Sequence, residues 1–244
     1  QAGAVDVEGH VAEFIEDEVM QIRDLGSVKE VVCQGGTYET RTVIIATGAV
    51  HRHLDIPGEE RLAGAGVSYC ATCDGAFFRN KVTAVVGGGD VALEDAIFLA
   101  RMCRKVYVIH RRDEFRGAKS LQENLLAQEN VEILWDTVAE AVEGDDRVEH
   151  LRIRNVKTDK TDRLEIDGLF IAVGITPTSQ AFAGLVEMDH GYIKAEEDCA
   201  TSVPGIFAAG DVRTKQLRQI ITAAADGANA VTSVERYLTE HREA

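Results

Sequence analysis

Two cysteines, Cys70 and Cys73, stand two residues apart and are followed at once by a carboxylate, Asp74. A Cys-x-x-Cys turn can close a small disulfide, and the thiolate form is often favoured in such a turn. Attack by one thiolate on a partner's disulfide, followed by displacement by the second thiolate, reduces that disulfide completely. Asp74 could donate or accept the proton of the exchange. The segment therefore predicts thiol–disulfide chemistry.

The same pair could instead be half of a zinc site, or two incidental buried cysteines. A structural zinc site normally needs a second pair of ligands at short spacing. Cys33, Cys103 and Cys199 are scattered, and no histidine pair has ligand spacing, so we expect no metal. The pair alone does not decide between a redox centre and incidental cysteines.

A glycine turn at residues 87–90 is the second candidate site, and it follows a buried strand predicted over residues 82–86. Gly87, Gly89 and Ala92 match the G-x-G-x-x-G/A dinucleotide fingerprint. The first glycine makes a tight turn, the second admits the pyrophosphate, and the small third residue lets helix pack on strand. A helix predicted from about Asp90 would offer its free N–H groups to the phosphates. Its predicted apolar face is Ala92, Ala96, Leu99, Ala100 and Cys103.

Arginines cluster at the end of the next predicted strand, residues 105–109. In this type of fold an acidic residue about 20 positions after the glycines binds the ribose 2′-hydroxyl. Arg111 lies 22 residues after Gly89, so that place is basic and suits a 2′-phosphate. A solvated charge run is the alternative, but Arg111, Arg112 and Arg116 stand out in a chain of net charge −15. The sequence therefore predicts NADPH rather than NADH.

Length and composition bound the remaining possibilities. The 244 residues allow one large domain or two ordinary ones. The charge of −15 disfavours nucleic acid and anionic membranes as partners. No apolar run approaches the roughly 18 residues of a membrane span, and the acidic start does not resemble a signal peptide. Five cysteines, an odd number, fit a reducing cytoplasm better than a secreted disulfide framework.

Buried strands and helices are predicted around these motifs. Strands are expected over residues 28–33, 37–42, 42–46, 131–135, 148–156, 163–166, 169–173 and 205–211, with a turn at residues 144–146 joining 131–135 to 148–156. A helix over residues 119–129 should turn Leu121, Leu125 and Leu126 inward. A closing helix over residues 216–239 should bury Leu217, Ile220, Ile221, Ala224, Ala225, Ala228, Val231 and Val234.

Two further strand ends could hold a ligand. Glycine in Ala46-Thr47-Gly48 lets something approach the backbone closely, and the acidic side chain of Asp211 after Gly210 could hold polyol hydroxyls. Arg218 and Gln219 lie at the start of the closing helix, where N–H groups can point at a phosphate.

Taken together, these motifs resemble the low-molecular-weight thioredoxin reductases, which are FAD-dependent pyridine nucleotide-disulfide oxidoreductases. The matching segments are residues 70–75, 87–90, 94, 110–113, 115–116, 205–211, 218–219 and 222–223. The resemblance implies an α/β fold with two Rossmann-like, doubly wound, three-layer nucleotide-binding domains. A discontinuous FAD domain would occupy residues 1–51 and 177–244, and an NADPH domain with the cysteine pair would occupy residues 52–176.

The resemblance also implies the reaction and the roles of residues. A hydride would pass from NADPH to FAD and on to the disulfide, and the dithiol would reduce thioredoxin. Cys73 would face the flavin, Cys70 would attack the substrate disulfide, and Asp74 would handle the proton. A homodimer whose NADPH domain reorients during turnover is implied as well.

The expected cofactor contacts follow from the motifs and the resemblance together. The NADPH residues are Gly87, Gly88, Gly89, Asp90, Glu94, His110, Arg111, Arg112, Arg116, Val173 and Gly174. The FAD residues are Ala46, Thr47, Gly48, Gly210, Asp211, Arg218, Gln219 and Ile220.

One departure from the family concerns FAD. The family opens with its own strand–glycine turn–helix unit for the FAD pyrophosphate, and the printed sequence has no such unit before Thr42. Residues 1–49 resemble only the later half of the first FAD-domain portion. We therefore expect a polypeptide of these 244 residues alone to retain FAD poorly. The alternatives are a flavoprotein module that reduces a peroxiredoxin-linked partner, and a non-catalytic NADPH-binding fragment. A ferredoxin–NADP reductase is disfavoured, because that enzyme lacks the cysteine pair.

Overall fold

The structure is a computed structural model, and it describes residues 12–241. The chain divides into two compact units. Gln1–Val50 and Thr176–Ala244 form the discontinuous unit, and His51–Ile175 form the continuous unit. Residues 1–11 of the expected first FAD-domain portion lie outside the described residues.

The chain begins with strands β1 (Val19–Asp24), β2 (Lys29–Cys33), β3 (Thr37–Thr40), β4 (Val43–Ile45) and β5 (Ala49–His51). Next come β6 (Val67–Ser68), α1 (Ala71–Asp74), β7 (Val82–Val86), α2 (Asp90–Ala100), β8 (Lys105–Ile109), α3 (Lys119–Leu126), β9 (Val131–Leu134), β10 (Thr137–Glu143), β11 (His150–Asn155), β12 (Thr161–Glu165), β13 (Gly168–Ile171) and β14 (Ile175–Pro177). The last elements are β15 (Met188–Asp189), β16 (Tyr192–Ile193), β17 (Ile206–Ala208) and α4 (Ile220–Glu240). Single 3₁₀ turns cover Gly75–Phe78, Gln180–Phe182 and Gly210–Val212.

A five-stranded sheet in the order β6-β13-β7-β8-β9 forms the centre of the continuous unit, and its neighbouring strands are all parallel. Strands buried on both faces are mainly apolar, and β7 is apolar except for Thr83. Val85 belongs to the core shared with α2 and α3, whereas Ala84 and Val86 pack with residues of β10 and β11. The unit therefore has three layers, and the layer opposite the helices is the antiparallel sheet β10-β11-β12.

The parallel arrangement brings the candidate motifs to one edge of this sheet. Cys70 follows β6, Gly174 follows β13, the glycine turn follows β7, and Arg111 follows β8. Carboxyl ends of parallel strands share an edge, and ligands of open α/β sheets bind there. The fold thus gathers four separate stretches of sequence into one region.

The discontinuous unit holds the antiparallel sheet β1-β2-β3 and the parallel pair β4-β17. Ile45 and Ala208 are register partners, and both belong to the core of this unit. The amide of Ala209 continues the pairing by donating to the carbonyl of Ile45 at 2.9 Å. Residues 46–48 and 209–211 are therefore neighbours at the carboxyl ends of these strands.

Seven strands were not predicted: β1, β5, β6, β10, β14, β15 and β16. All but β1 and β10 are only two or three residues long, which is too short for a periodic pattern to show. β10 is rich in residues with low strand propensity, since it carries two alanines and two glutamates. Pairing with β11 overrides that preference. The turn at residues 144–146 therefore joins β10 to β11, and the predicted connection from residues 131–135 is wrong.

The inward placement of Leu126 is also wrong. Helix α3 ends at Leu126, whose side chain is 67% exposed, whereas Leu125 is fully buried. Leu121 and Leu125 lie one helical turn apart on the packed face, and Leu126 points about 100° away from Leu125. Helix α2 likewise ends before Cys103, which is buried in the same core beyond the helix.

The closing helix α4 begins at Ile220, four residues later than predicted, with Gln219 as its N-cap. Its predicted apolar face is mainly exposed: Ile220 is 91% exposed and Ile221 is 75% exposed. Asp226 and Ala230 are buried instead. Asp226 forms hydrogen bonds with the 3₁₀ turn Gly210–Val212 and with Arg213 just after it, and these bonds orient the helix. The spacing of apolar residues in the sequence does not reveal such polar contacts. Within residues 12–241, no helix has both the length and the apolar character needed to cross a membrane.

The adjacent leucines of α3 test this packing with a matched pair. Leu125→Ala should lower the free energy of unfolding by about 2–5 kcal/mol, because it leaves a cavity in the core. Leu126→Ala, on the same helix, should change it by no more than about 0.5 kcal/mol. Urea unfolding followed by circular dichroism measures both values. Equal losses for the two variants would contradict the packing of α3.

Candidate active site

The two cysteines of the motif are joined as a disulfide, with 5.3 Å between their Cα atoms. Cys70 is the N-cap of α1, and its Sγ accepts a hydrogen bond of 3.2 Å from the Cys73 amide. The hydroxyl of Thr72 lies 3.3 Å from the same sulfur. Both groups could stabilise a thiolate on Cys70 after the disulfide opens.

The other cysteines have a different environment. Cys103 and Cys199 are buried free thiols, and burial raises the pKa of each. A raised pKa keeps a thiol protonated and unreactive. Cys33 is a half-buried free thiol. The disulfide supports a redox pair over incidental cysteines.

Ser68 connects Asp74 to the cysteine turn. Its Oγ donates to Asp74 Oδ2 at 2.7 Å and accepts from the Cys70 amide at 3.1 Å. Ser68 is 5% exposed and is the last residue of β6. Sequence reasoning missed it, because the two-residue strand β6 that ends at Ser68 was not predicted and its hydrogen bond to Asp74 forms only in the folded turn.

The glycine turn after β7 fits a close-approaching ligand. A Cβ at Gly87 would lie 2.5 Å from the carbonyl oxygen of Ala172, and one at Gly88 would lie 2.3 Å from the ring of His110. A Cβ at Gly89 would meet nothing within 4 Å. The first two glycines are thus required by packing, while the third leaves space above the start of α2, as a dinucleotide phosphate needs.

The loop that carries the arginines is fastened to this turn. The amide of Arg116 donates to the carbonyl of Gly88 at 2.8 Å, and Asp90 Oδ1 accepts from the amide of Ala118 at 2.7 Å. His110 is 6% exposed, and its Nε2 lies 3.0 Å from the carbonyl oxygen of Glu114. Burial lowers the pKa of His110. These hydrogen bonds fix the arginine loop next to the glycine turn.

The arginines themselves carry unneutralised charge. Arg111, Arg112 and Arg116 are exposed, and none forms an ion pair with another residue of the described chain. Asp113, between them in sequence, pairs instead with Lys157 at 3.0 Å, and the hydrogen bond from Lys157 lowers the pKa of Asp113. Three exposed cations without an ion-pair partner among the described residues suit a phosphate group.

The remaining predicted NADPH residues also lie in the continuous unit. Glu94 is exposed on α2, and Val173 is half-buried after β13. Gly174 is exposed, and its carbonyl accepts from the Arg52 amide at 3.0 Å. Among residues 12–241, no cluster of His, Cys, Asp or Glu side chains could hold a metal ion.

The predicted FAD residues meet at the carboxyl ends of β4 and β17. The hydroxyl of Thr47 donates to the carbonyl of Thr178, whose amide donates to the carbonyl of Gly48 at 3.0 Å. Ala46 is exposed. Asp211 Oδ1 is buried and has no hydrogen-bond partner among the described residues. A buried carboxylate oxygen without a donor fits a ligand hydroxyl, because leaving such an atom unpaired is costly.

The start of α4 completes this group. Arg218 places its guanidinium 4.1 Å from the ring centroid of Tyr192, and its Nε is buried without a partner among residues 12–241. Gln219 and Thr222 form a reciprocal capping box, and Ile220 is 91% exposed in the first helical turn. The residues predicted for each cofactor are therefore gathered within one unit each.

This combination of a disulfide and a dinucleotide turn at one sheet edge defines a disulfide oxidoreductase that uses a pyridine nucleotide. The chain belongs to the pyridine nucleotide-disulphide oxidoreductase family, whose model matches residues 5–227. The membership confirms the expected enzyme class and the cofactors FAD and NADPH.

Particular relatives are thioredoxin reductases. The chain is 43% identical to that of Listeria innocua over 235 residues, which cover 96% of this chain and 74% of the relative. It is 46% identical to that of Mycolicibacterium smegmatis over 226 residues, covering 92% of this chain and 73% of the relative. The crystal structure of the Streptococcus pyogenes thioredoxin reductase superposes with a TM-score of 0.88 at 46% identity, covering 92% of this chain and 74% of that one. The similarity to this structure confirms the α/β fold with Rossmann-like domains.

The arginine loop generates a test of nucleotide choice. Arg111→Ala and Arg112→Ala should each weaken NADPH affinity about ten- to a hundredfold, because each removes a charged hydrogen bond to the 2′-phosphate. NADH affinity should change little. Arg101→Ala removes an exposed arginine at the opposite end of α2 and serves as the control. Fluorescence titration measures both affinities, and equal losses for NADPH and NADH would refute the assignment.

Proposed function

We propose that this protein is an NADPH-dependent thioredoxin-disulfide reductase that works through FAD and the Cys70–Cys73 disulfide. The observation that carries the proposal is the position of this disulfide. It follows β6 in the parallel sheet whose other strand ends carry the glycine turn and the arginines. A reducible bond and a site for a reduced nucleotide thus belong to one compact unit.

The two units would have separate cofactors. Residues 52–176 would bind NADPH through the glycine turn and through Arg111, Arg112 and Arg116. Residues 1–51 and 177–244 would bind FAD through Ala46–Gly48, Asp211 and the start of α4. The open space at Gly89 and the unpartnered Asp211 Oδ1 support this division.

FAD, when bound, supplies the hydride chemistry that couples NADPH oxidation to reduction of a disulfide. The protein's own part begins with the opening of the Cys70–Cys73 bond, which takes up two electrons and one proton and leaves one thiol and one thiolate. Cys73 would receive the electrons, because the family resemblance assigns it that role. Asp74, held by Ser68, would supply the proton.

Exchange with the substrate then returns the pair to its starting state. The Cys70 thiolate attacks one sulfur of the substrate disulfide, forms a mixed disulfide and expels the other sulfur as a thiolate, which is protonated. Cys73, as a thiolate after its proton has passed to the expelled substrate sulfur, next attacks Cys70, which reforms the Cys70–Cys73 bond and releases the second substrate sulfur as a thiolate that takes up a proton from solvent. The Cys73 amide and the Thr72 hydroxyl support Cys70 as the nucleophile, since both lie within hydrogen-bond distance of its sulfur.

Thioredoxin is the proposed substrate because the curated relatives are named for it. Those relatives favour thioredoxin over a peroxiredoxin-linked partner and over a non-catalytic NADPH-binding role. A homodimer and a cytoplasmic location complete the proposal. The three free thiols support a reducing compartment.

Serine variants of the cysteine pair test this function in the whole protein. Cys70→Ser and Cys73→Ser should each abolish thioredoxin reduction, because the exchange needs both sulfurs. Reduction of bound FAD by NADPH should persist, and Cys33→Ser should behave as wild type. Thioredoxin-coupled NADPH oxidation and flavin bleaching measure the two steps. Thioredoxin reduction by either variant at near wild-type rate would make the pair structural.

A further inference from the structure

Three charged side chains are buried together beside the 3₁₀ turn that contains Asp211. Asp226 accepts from Arg213 Nη2 at 2.7 Å, from Arg213 Nε at 2.9 Å and from Lys215 Nζ at 2.7 Å. The side chains of these residues are 6%, 10% and 7% exposed, in the order Asp226, Arg213 and Lys215. We call this group the Asp226 cluster.

The cluster is bonded to the backbone on both sides. Asp226 Oδ2 also accepts from the amide of Gly210 at 2.8 Å. Arg213 Nη1 donates to the carbonyl oxygens of Ala195 at 3.2 Å and Thr214 at 2.9 Å. Gly210 has a φ of +75°, a conformation that side chains rarely adopt. Asp226 thus fixes the backbone of Gly210, which sets the direction of the next residue, Asp211.

The two carboxylates differ in their hydrogen bonding. The Asp226 carboxylate accepts four hydrogen bonds from protein groups, so it is not available to bind a ligand. Asp211 Oδ1 is buried and has no partner within the described chain. A buried acceptor is rarely left unpaired unless a ligand or water completes it. One carboxylate is therefore committed to the protein, while the other is available to a ligand.

Stability alone is a weak reason for such a cluster. Removing charges from water is costly, and buried ion pairs can often be replaced by apolar side chains without loss. Burial raises the pKa of Asp226, but the hydrogen bonds from Arg213, Lys215 and Gly210 outweigh it and lower the pKa to about 2. Asp226 is therefore ionised at neutral pH, and its ionised form fixes the geometry of its donors.

We propose that Asp226 is a positioning residue for FAD, which, together with Arg213 and Lys215, fixes the Gly210–Asp211 turn so that Asp211 meets a cofactor hydroxyl. The inference rests on the proposed function, since it takes FAD as the ligand of Asp211. No described hydrogen bond to the Asp211 carboxylate replaces this support, so the turn depends on Asp226.

The test is Asp226→Asn in the whole protein, freed of FAD and titrated with it. Asparagine keeps the shape but faces two buried cations with a neutral group. FAD affinity should fall at least about tenfold, as expected for lost charge-assisted hydrogen bonds. At saturating FAD, the visible flavin spectrum should shift toward that of free FAD. NADPH affinity should be unchanged.

Glu187→Gln is the matched control. Glu187 pairs with Lys194 at 3.0 Å in the same unit, but these side chains are 66% and 55% exposed. Its FAD affinity should stay within about twofold of wild type, since exposed ion pairs contribute little. A role of Asp226 in stability alone would lower the unfolding midpoint but leave the FAD affinity and the flavin spectrum as in wild type. That outcome would overturn the inference.

A second measurement uses the wild-type protein and does not depend on the variant's folding. In the FAD-free protein, hydrogen exchange of the Gly210 amide should be slow, because its bond to Asp226 exists before the cofactor binds. Rapid exchange at Gly210 in the FAD-free form would overturn the inference. If the wild-type protein bound no FAD, both the proposed function and this inference would be refuted. If wild type bound FAD and Asp226→Asn bound it equally well, only this inference would be refuted and the proposed function would stand.

Discussion

The parallel hydrogen-bond ladder that joins β6, β13, β7 and β8 is the constraint on which the candidate site depends. Phe170 pairs with Ser68, while Val86 pairs with both Ile171 and Ile109, so the strand ends are aligned. The segments that follow β6, β7 and β8 carry the cysteine pair, the glycine turn and the arginines, respectively. A shift of one residue would turn the alternating apolar side chains of these strands to the wrong layers.

The sequence predicted those parts because each depends on local residue types. Gly87 and Gly88 are required by the close approach of Ala172 and His110, and the arginines lie where the fold places a 2′-phosphate. Ser68 and the Asp226 cluster could not be predicted, because their meaning comes from partners that tertiary structure brings close. The same reason explains why the predicted buried face of α4 is wrong. Its apolar stripe is visible in the sequence, but the buried hydrogen bonds of Asp226 determine which side of the helix faces the protein. Strand β10 formed despite its alanines and glutamates because β11 pairs with it.

Charge is used selectively in this acidic chain. Asp113 and Asp226 are each paired with cations of their own unit, whereas Arg111, Arg112 and Arg116 form no ion pair within residues 12–241. Asp211, by contrast, keeps a buried oxygen without a donor among the described residues. The groups left unsatisfied by the protein are the ones expected to meet a cofactor: cations for a phosphate and a carboxylate for a hydroxyl. This pattern connects the electrostatics of the fold to the assignment of a ligand for each unit.

In the proposed reaction, electrons from NADPH arrive at the Cys70–Cys73 disulfide. The most direct measurement is differential alkylation of the whole, FAD-loaded protein before and after anaerobic addition of one equivalent of NADPH, with the labelled cysteines identified by mass spectrometry. Cys70 and Cys73 should become newly labelled, while the labelling of Cys33, Cys103 and Cys199 should not change. NADPH oxidation without new label on Cys70 and Cys73 would contradict the proposed reaction.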